Sequence, residues 1–250
     1  EKLGYDITFI NTCFENRKMS YYEHCRYRNF EGVVIVCANF DDPDVIELMN
    51  SEIPVVTIDY VHHNCTAVTS NNIQGMEDLV KYIYSQGHRK IAYIHGQEGS
   101  SVTRDRLASF YRTIDELGLE IPDTYVRSAD YLETKGSAKQ TKELLNLEDP
   151  PTCIIYPDDT SLIGGRNVII EMGLRIPRDI SVAGYDGTKI SQLLYPKLTT
   201  IRQNTEIIGS EAATRLIGTI EKPRTTLVER VVIEGILIPG QSVGKIPEQK

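Results

Sequence analysis

Short apolar runs alternate with longer amphipathic stretches along most of the chain. Runs such as Val33–Val36 and Ile91–Ile94 are almost wholly apolar, which is typical of strands that are covered on both faces of a parallel sheet. The stretches between them place apolar residues at helical spacing and often end at a glycine, as the stretch from Asn72 does at Gly87. This alternation predicts an α/β fold in which parallel sheets are flanked by helices.

Ten segments are predicted as strands and five as helices. The predicted strands are Ile7–Asn11, Gly32–Cys37, Val55–Asp59, Ala67–Ser70, Ile91–His95, Tyr125–Ser128, Cys153–Tyr156, Ser181–Tyr185, Thr199–Gln203 and Val231–Leu237. The predicted helices are Asn72–Gln86, Thr103–Leu117, Lys135–Leu145, Ser161–Met172 and Glu206–Ile220. We expect Asn72 to cap the first helix and Asp159 or Thr160 to cap the fourth.

These strands fit two sheets of five or six better than one sheet of ten. A break near Thr69–Asn72, where a strand leads into a new helix–strand series, predicts two Rossmann-like lobes. The late strands Thr199–Gln203 and Val231–Leu237 would carry the chain back between the lobes. We expect one lobe from residues 1–70 and about 204–232, a second from 71–203 and about 233–245, three connecting crossover segments and a ligand cleft between the lobes.

The net charge, the apolar runs and the cysteines of the chain argue against several classes of protein. The 250 residues carry a net charge of −8, which argues against this polypeptide binding DNA or an anionic membrane by itself. No apolar run reaches the roughly 18 residues that a membrane span needs. The five cysteines are odd in number and include no CxxC pair, which favours buried free thiols in a reducing cytoplasm over a disulfide framework.

Motifs for catalysis and metal binding are missing from the sequence. There is no P-loop, no G-x-S-x-G, no HExxH and no GxGxxG after a strand, so we expect neither an enzyme nor a cofactor. His62 and His63 are adjacent, but no carboxylate or cysteine completes a convincing metal set. The segment Gly96–Ser101 could hold a phosphate, although a mobile loop beside the cleft is the favoured interpretation.

One stretch combines a strand with a carboxylate at its end. The apolar run Ser181–Ala183 leads into Gly184-Tyr185-Asp186, which delivers Asp186 at the carboxyl end of a strand, where open α/β sheets bind ligands. Asp186 is therefore a candidate for a ligand contact, with stabilisation of its own turn as the alternative.

A series of motifs in a fixed order resembles the effector-binding core of the lac-repressor/galactose-repressor family of bacterial transcription regulators. The motifs are Gly4-Tyr5-Asp6, Ile53–Val56 leading to Asp59, Asn72 with Gly75, Gly87–Ile94, Arg106 with Phe110, Asp159 with Gly164, Gly173–Pro177, Ile180–Asp186 and Pro196–Gln203. The resemblance covers almost the whole chain. The residues Glu1–Gly4 are predicted to be the end of a helix that stops at the glycine. The resemblance implies that a DNA-binding helix-turn-helix headpiece, a hinge helix, and a first strand and helix belong before Glu1.

The resemblance also implies a set of ligand-binding residues in the cleft. Arg106 matches the family's cleft arginine and Asp186 its cleft aspartate, and both suit charge-assisted hydrogen bonds to hydroxyl groups. The alternative for Arg106 is a solvated helix arginine, since Arg104 and Arg112 flank it at similar spacing.

Four further residues complete the expected set. Asp59 and Asp158 fall at positions that commonly line the cleft, Tyr131 at the position of a ring-stacking aromatic residue, and Gln203 at the crossover. Asp158 and Asp159 precede a helix, so one of them, Asp159 by preference, is expected to be its N-cap. Packing of the loop remains the alternative for Tyr131.

The function implied by the resemblance is control of transcription through a small effector, with a carbohydrate favoured over a purine. We expect a cytoplasmic homodimer that binds DNA only through the missing headpiece. The runner-up is a secreted, monomeric periplasmic sugar receptor of a transporter. A protein whose partner is a phosphorylated carrier protein is a weaker alternative, and an enzyme of similar build comes last.

Overall fold

The structure is a computed structural model that describes residues 4–10, 13–14 and 17–246. Most of the predicted helix end at Glu1–Gly4 therefore lies outside the described residues. The chain divides into two compact units, which we call the first unit (Glu1–Thr69 with Thr205–Val232) and the second unit (Ser70–Asn204 with Ile233–Lys250). The chain passes from one unit to the other three times, at residues 69–70, 204–205 and 232–233.

The second unit is built on a six-stranded sheet with the order β12-β10-β9-β8-β6-β7. Its strands are β6 (Ile91–His95), β7 (Val126–Ser128), β8 (Cys153–Ile155), β9 (Ser181–Asp186), β10 (Thr199–Arg202) and β12 (Ile236–Ile238). All neighbours pair in parallel except β10 and β12, which are antiparallel. The predicted parallel α/β architecture is thus confirmed.

Alternate residues along these strands point into two separate hydrophobic clusters. Ile91 and Tyr93 of β6 belong to one cluster, and Ala92 and Ile94 belong to the other. The first cluster is completed by α3 (Asn72–Ser85) and α4 (Ser101–Glu116), and the second by α5 (Thr134–Leu145) and α6 (Asp159–Glu171). Helices therefore cover both faces, which explains why the strands are continuous apolar runs.

The first unit contains a four-stranded sheet with the order β11-β5-β4-β3. Its elements are a strand pair β1 (Cys13–Phe14) and β2 (Arg17–Lys18), helices α1 (Tyr21–Arg28), α2 (Pro43–Met49) and α8 (Thr205–Glu221), and strands β3 (Val33–Ile35), β4 (Val55–Ile58), β5 (Thr66–Ser70) and β11 (Arg230–Ile233). β3, β4 and β5 run parallel to one another. Their core is a third cluster that includes Val45, Leu48 and Ile53.

Several predicted elements need correction. Helices α1, α2 and the short α7 (Lys189–Leu193) were not predicted, and α1 carries almost no apolar stripe; a capping box of Ser20 and Glu23 begins it instead. The predicted strand Val231–Leu237 is two strands, β11 and β12, because the chain changes unit at residues 232–233 and each strand joins a different sheet.

Two further corrections concern an end strand and a cap. Ile7–Ile10 is not a strand, and Asn11 lies outside the described residues. The N-cap of α3 is Asn71, whose side chain accepts a hydrogen bond from the Gln74 amide, so Asn72 is the first residue inside the helix. Asn72 is consequently available for a different contact.

The described cysteine side chains are free thiols. Cys25, Cys65 and Cys153 are buried, as predicted, whereas Cys37 is exposed. Burial raises the pKa of the Cys65 thiol to about 11, so this group stays protonated at neutral pH.

Helices α5 and α6 approach each other closely at a glycine. A Cβ atom on Gly164 of α6 would lie 1.9 Å from the backbone oxygen of Thr134 at the start of α5. Backbone oxygen cannot move aside as a flexible side chain can, so this crossing requires glycine.

We expect Gly164→Ala to lower the free energy of unfolding by about 2 kcal/mol or more, since overpacking against backbone displaces a helix. Gly209→Ala in α8 is the matched control, because a Cβ there would meet no atom within 4 Å. The control should be neutral or stabilising by up to about 1 kcal/mol. Urea denaturation followed by circular dichroism measures the free energy of unfolding of both variants. Equal stability of the two variants would contradict the close approach of α5 and α6 at Gly164.

Candidate functional site

The carboxyl ends of β6 to β10 meet at one edge of the six-stranded sheet. After β6 the chain goes to the neighbouring edge strand β7, whereas β8, β9 and β10 are added on the other side of β6. The direction of winding thus reverses between β6 and β8, and open α/β sheets bind ligands at such a switch point, outside the carboxyl ends of the strands. Four of the sequence-predicted residues, Arg106, Tyr131, Asp158 and Asp186, follow or end strands at this edge or lie on the helix that follows one.

Arg106 on α4 is buried, with only 2% of its surface exposed, and is held by three neighbouring segments. Its Nε donates to Asn72 Oδ1 at 2.8 Å, and its Nη1 donates to the Pro157 carbonyl at 2.9 Å. Its Nη2 lies 3.9 Å from Asp186 Oδ1, which is an ion pair but longer than a hydrogen bond. The alternative of a solvated helix arginine is therefore wrong.

Three tyrosines surround this guanidinium. Its Cζ lies 3.5 Å from the centroid of the Tyr185 ring and 5.9 Å from that of Tyr131. Burial alone would lower the pKa of Arg106, but the oxygens of Tyr185, Tyr131, Asp186 and Tyr93 outweigh it and raise the pKa above its usual value. The arginine therefore remains a fixed positive charge next to the switch point.

Asp186 ends β9 in a left-handed backbone conformation, with φ of 96°. Its backbone oxygen accepts from the Gln203 amide at 3.1 Å, and its Oδ1 accepts from Gln203 Nε2 at 2.5 Å. Gln203 Oε1 in turn accepts from Ser70 Oγ at 2.5 Å. Both polar ends of the Gln203 side chain are thus engaged in holding Asp186 and Ser70, so Gln203 acts here as a positioning residue.

The loop after Asp186 is anchored by the buried carboxylate of Asp159. Asp159 Oδ2 accepts from the Thr188 amide at 2.7 Å and from Thr188 Oγ1 at 2.9 Å, and its Oδ1 accepts from Thr200 Oγ1 at 2.8 Å. The Gly187 amide donates to Thr200 Oγ1 at 3.2 Å. Burial raises the pKa of Asp159 to about 6, and the charge of Asp186 adds to this effect.

Tyr131 lies in the loop after β7 and packs directly on backbone. A Cβ atom on Gly96 would lie 2.1 Å from the Tyr131 ring, so the glycine makes room for it. The hydroxyl groups of Tyr131 and Thr103 share a hydrogen bond of 2.9 Å. Burial raises the pKa of Tyr131, and the half-buried ring stays neutral.

Asp158, rather than Asp159, is the N-cap of α6. Its Oδ1 accepts from the Ser161 amide at 2.8 Å, while its Oδ2 accepts from Ser161 Oγ at 2.7 Å and from the Leu132 amide at 2.9 Å. The preference for Asp159 as the cap is therefore wrong. A ligand that contacted Asp158 would have to compete with three protein donors for its two oxygens.

Asp59 belongs to the first unit. It follows β4 in a left-handed conformation with φ of 59°, and its amide donates to the Val68 carbonyl at 3.0 Å. It therefore ends a strand of the four-stranded sheet as Asp186 ends a strand of the six-stranded sheet. Its role as a ligand contact stays a prediction.

Two residues of this cluster were not selected from the sequence. Asn72 orients Arg106, and Tyr185 lies under its guanidinium. Both occur in the motifs quoted above, but their spacing to Arg106 along the chain gives no sign of contact. The two consecutive asparagines at the start of α3 are the signal that could have identified Asn72, because only one of them, Asn71, can be the cap.

Metal binding and membrane insertion find no support among the described residues. Among them, no group of three or more His, Cys, Asp or Glu side chains could hold a metal ion. No helix in the described ranges has both the length and the hydropathy to cross a membrane.

We expect Asp159→Ala to lower the free energy of unfolding by about 2–4 kcal/mol, because it leaves the buried donors of Thr188 and Thr200 without their acceptor. Asp159→Asn keeps an acceptor oxygen and should lower the free energy of unfolding less.

The raised pKa of Asp159 also makes stability depend on pH. An aspartate in the unfolded chain has a pKa of about 3.9, so the native state binds the carboxyl proton of Asp159 more tightly than the unfolded state does. The stabilisation that this tighter proton binding gives the native state is therefore complete below about pH 4, and it is lost as the pH rises through about 6.

Urea denaturation at several pH values measures the free energies of unfolding of the wild type and of Asp159→Asn. As the pH rises from about 4 to 6, the wild type should lose stability relative to the variant. Other titrating groups cancel in the difference between the two. A difference that does not change with pH would contradict the raised pKa.

Comparisons with known proteins identify the family and the fold of the chain. The model of the periplasmic binding protein-like domain family matches residues 80–243. The HTH-type transcriptional repressor PurR of Aliivibrio salmonicida is 27% identical over 224 residues, which make up 88% of this chain and 67% of the relative. The chain thus spans about two thirds of the length of this relative.

Two solved structures of regulators are similar to the chain. A regulatory protein of the LacI family from Chloroflexus aggregans is 27% identical with a TM-score of 0.76, and the match covers 90% of this chain and 80% of that one. The complex of the transcriptional regulator CelR with cellobiose is 25% identical with a TM-score of 0.79, with 89% and 71% covered. These relatives are regulators rather than enzymes, and the resemblance in the motifs is confirmed. The chain therefore belongs to the periplasmic binding protein-like domain family and has the fold of the effector-binding core of LacI-family transcriptional regulators.

Proposed function

We propose that this chain is the effector-binding domain of a transcriptional repressor and that it binds a small, sugar-like molecule. The observation that carries the proposal is the pair of Arg106 Nη2 and Asp186 Oδ1, which face each other at 3.9 Å at the carboxyl edge of the sheet. A hydroxyl group can donate to the carboxylate and accept from the guanidinium at the same time. Neutral polyhydroxyl ligands are bound in this way by charge-assisted hydrogen bonds.

An aromatic surface beside the charge pair supports the same ligand class. The Tyr131 ring is half-buried, lies 5.9 Å from Arg106 Cζ and is fixed through Thr103. The apolar face of a sugar ring packs well on such a side chain, while its hydroxyl groups need the polar ones. The cellobiose complex of CelR is a carbohydrate complex in a similar protein. We retain Asp59 as a proposed further contact and treat Asp158 as a capping residue that supports the site.

The repressor role concerns the whole protein, of which this chain is the effector-binding part. The relative PurR is an HTH-type repressor, and a chain with net charge −8 is poorly suited to bind DNA itself. We propose that DNA is bound by a helix-turn-helix headpiece and that the effector changes the affinity for the operator. Such control requires that the effector binds one conformation of the domain more tightly than another.

We further propose that the domain acts as a homodimer through an apolar surface at α7. Leu193 and Tyr195 each expose 83% of their surface, and Ile190 on the same helix is partly exposed. Two-fold symmetry lets each such residue contribute twice to one interface. A secreted, monomeric sugar receptor has no need of such a surface, which separates the two functions.

A thermal-shift screen of mono- and disaccharides, sugar phosphates, nucleosides and purines identifies the effector class, and we expect a carbohydrate to give the largest shift. Asp186→Asn should weaken binding of the best sugar about tenfold or more, because the charge-assisted hydrogen bond becomes a neutral one. Arg106→Lys should have a similar effect, since a lysine cannot reproduce the planar donor set.

Arg104→Gln is the matched control, because Arg104 lies on the same helix and its side chain is 76% exposed. Isothermal titration of the three variants with the same sugar should leave only this control at the wild-type affinity. Wild-type affinity in Asp186→Asn and Arg106→Lys would contradict the proposed site.

We expect the double variant Leu193→Glu/Tyr195→Glu to be monomeric at micromolar concentration while the wild type is a dimer, because charged side chains on both sides of a two-fold interface repel and remain hydrated. Tyr111→Glu on α4, another exposed aromatic position, serves as the control and should leave the dimer intact. Size-exclusion chromatography with light scattering measures the mass. A wild-type monomer would favour the sugar receptor.

A further inference from the structure

A pocket that shares no residue with the candidate effector site lies beside the edge strand β7. It is an open pocket of about 510 Å³ lined by residues of β7, of α5 and of the segment that follows α5. Its lining residues are Arg127, Lys139, Lys142, Glu143, Asn146 and Leu147. This volume is in the range of sites for small molecules and larger than a bare inorganic ion needs.

The charges of the pocket are unusual for this protein. Three cationic side chains face one carboxylate, Glu143, in a chain whose net charge is −8. None of Arg127, Lys139, Lys142 and Glu143 forms an ion pair within the part of the chain that the structure describes. The local excess of two positive charges is therefore not neutralised by the protein itself.

Arg127 gives the strongest indication of a ligand. Its Nε is buried and has no hydrogen-bond partner among the described residues. A buried donor without an acceptor costs about 1–3 kcal/mol, so a buried N–H group such as this Nε is normally paired. A ligand with several acceptor oxygens would supply the missing partner and bridge to the two ammonium groups.

Ordinary structural roles explain single members of this set. Lys142 lies in the last turn of α5, where a cation interacts favourably with the helix dipole. Charged side chains on an edge strand such as β7 also prevent pairing with other chains. Neither role explains the buried, unpartnered Nε of Arg127 or the convergence of all three cations on one cavity.

We propose that this pocket binds the phosphate group of a phosphorylated small metabolite. A phosphate monoester carries a charge of about −1.5 to −2 at neutral pH and has three acceptor oxygens, which matches the excess charge and the three cationic donors. The remaining volume, bounded by Leu147 and Asn146, accommodates the organic part of the molecule. The site is separate from Arg106 and Asp186 and does not depend on the identity of the effector.

Isothermal titration with glucose 6-phosphate at low ionic strength tests the proposal on the full chain, with glucose and inorganic phosphate as separate titrants. Low salt is needed because exposed charges are screened at higher ionic strength. We expect glucose 6-phosphate to bind the wild type, and Lys139→Gln/Lys142→Gln to weaken this binding about tenfold or more. Inorganic phosphate should bind at the same pocket more weakly.

The control double variant is Lys135→Gln/Lys245→Gln, which changes the net charge equally at two exposed lysines outside the pocket lining and should bind as the wild type does. Lys139→Gln/Lys142→Gln should leave any binding of unphosphorylated glucose unchanged, which distinguishes this pocket from the candidate effector site. Loss of binding in Asp186→Asn with retention in the pocket variant would assign the phosphate ester to the effector site and overturn the proposal. Equal weakening in both lysine double variants, or no binding by the wild type at millimolar glucose 6-phosphate, would overturn it as well.

Discussion

The buried guanidinium of Arg106 is the constraint around which the edge of the six-stranded sheet is organised. Removing a charge from water costs several kcal/mol unless hydrogen bonds and opposite charges compensate. Asn72, Pro157 and Tyr185, which are far apart in the sequence, supply an acceptor oxygen, a carbonyl and a ring face. Because these groups belong to the starts or ends of different elements, one side chain fixes the relative positions of α3, α4, the segment after β8 and the end of β9.

The two aspartates beside this charge differ in role because their surroundings differ. Asp159 is buried and saturated by Thr188 and Thr200, and its raised pKa reflects the cost of keeping a carboxylate there. Asp186 is less buried and ends its strand with a left-handed backbone. Asp159 thus anchors the loop that follows Asp186, while Gln203 holds the more accessible carboxylate of Asp186 itself.

The periodic features could be predicted from the sequence, whereas contacts between distant segments could not. The strands β6, β8 and β9 can be recognised in the sequence as apolar runs, because helices cover both of their faces. The first helix, α1, has no apolar stripe, so only its capping box marks it. The exchange of roles between Asp158 and Asp159 depends on which carboxylate reaches the Ser161 amide and which reaches Thr188, and adjacent residues of the same type cannot be distinguished by pattern.

Helix α5 connects the two sites proposed for the second unit. Its N-terminal end follows the loop of Tyr131, where the Leu132 amide donates to Asp158 and the Thr134 backbone packs against Gly164. Farther along the same helix, Lys139 and Lys142 line the phosphate pocket. These contacts hold α5 against α6. A ligand that displaced α5 at one end would therefore strain the contacts with α6. Coupling between the two sites then requires two arrangements of α5 with different affinities for each ligand, and any such coupling is reciprocal: the sugar alters the affinity for the phosphate ester by the same factor as the phosphate ester alters the affinity for the sugar.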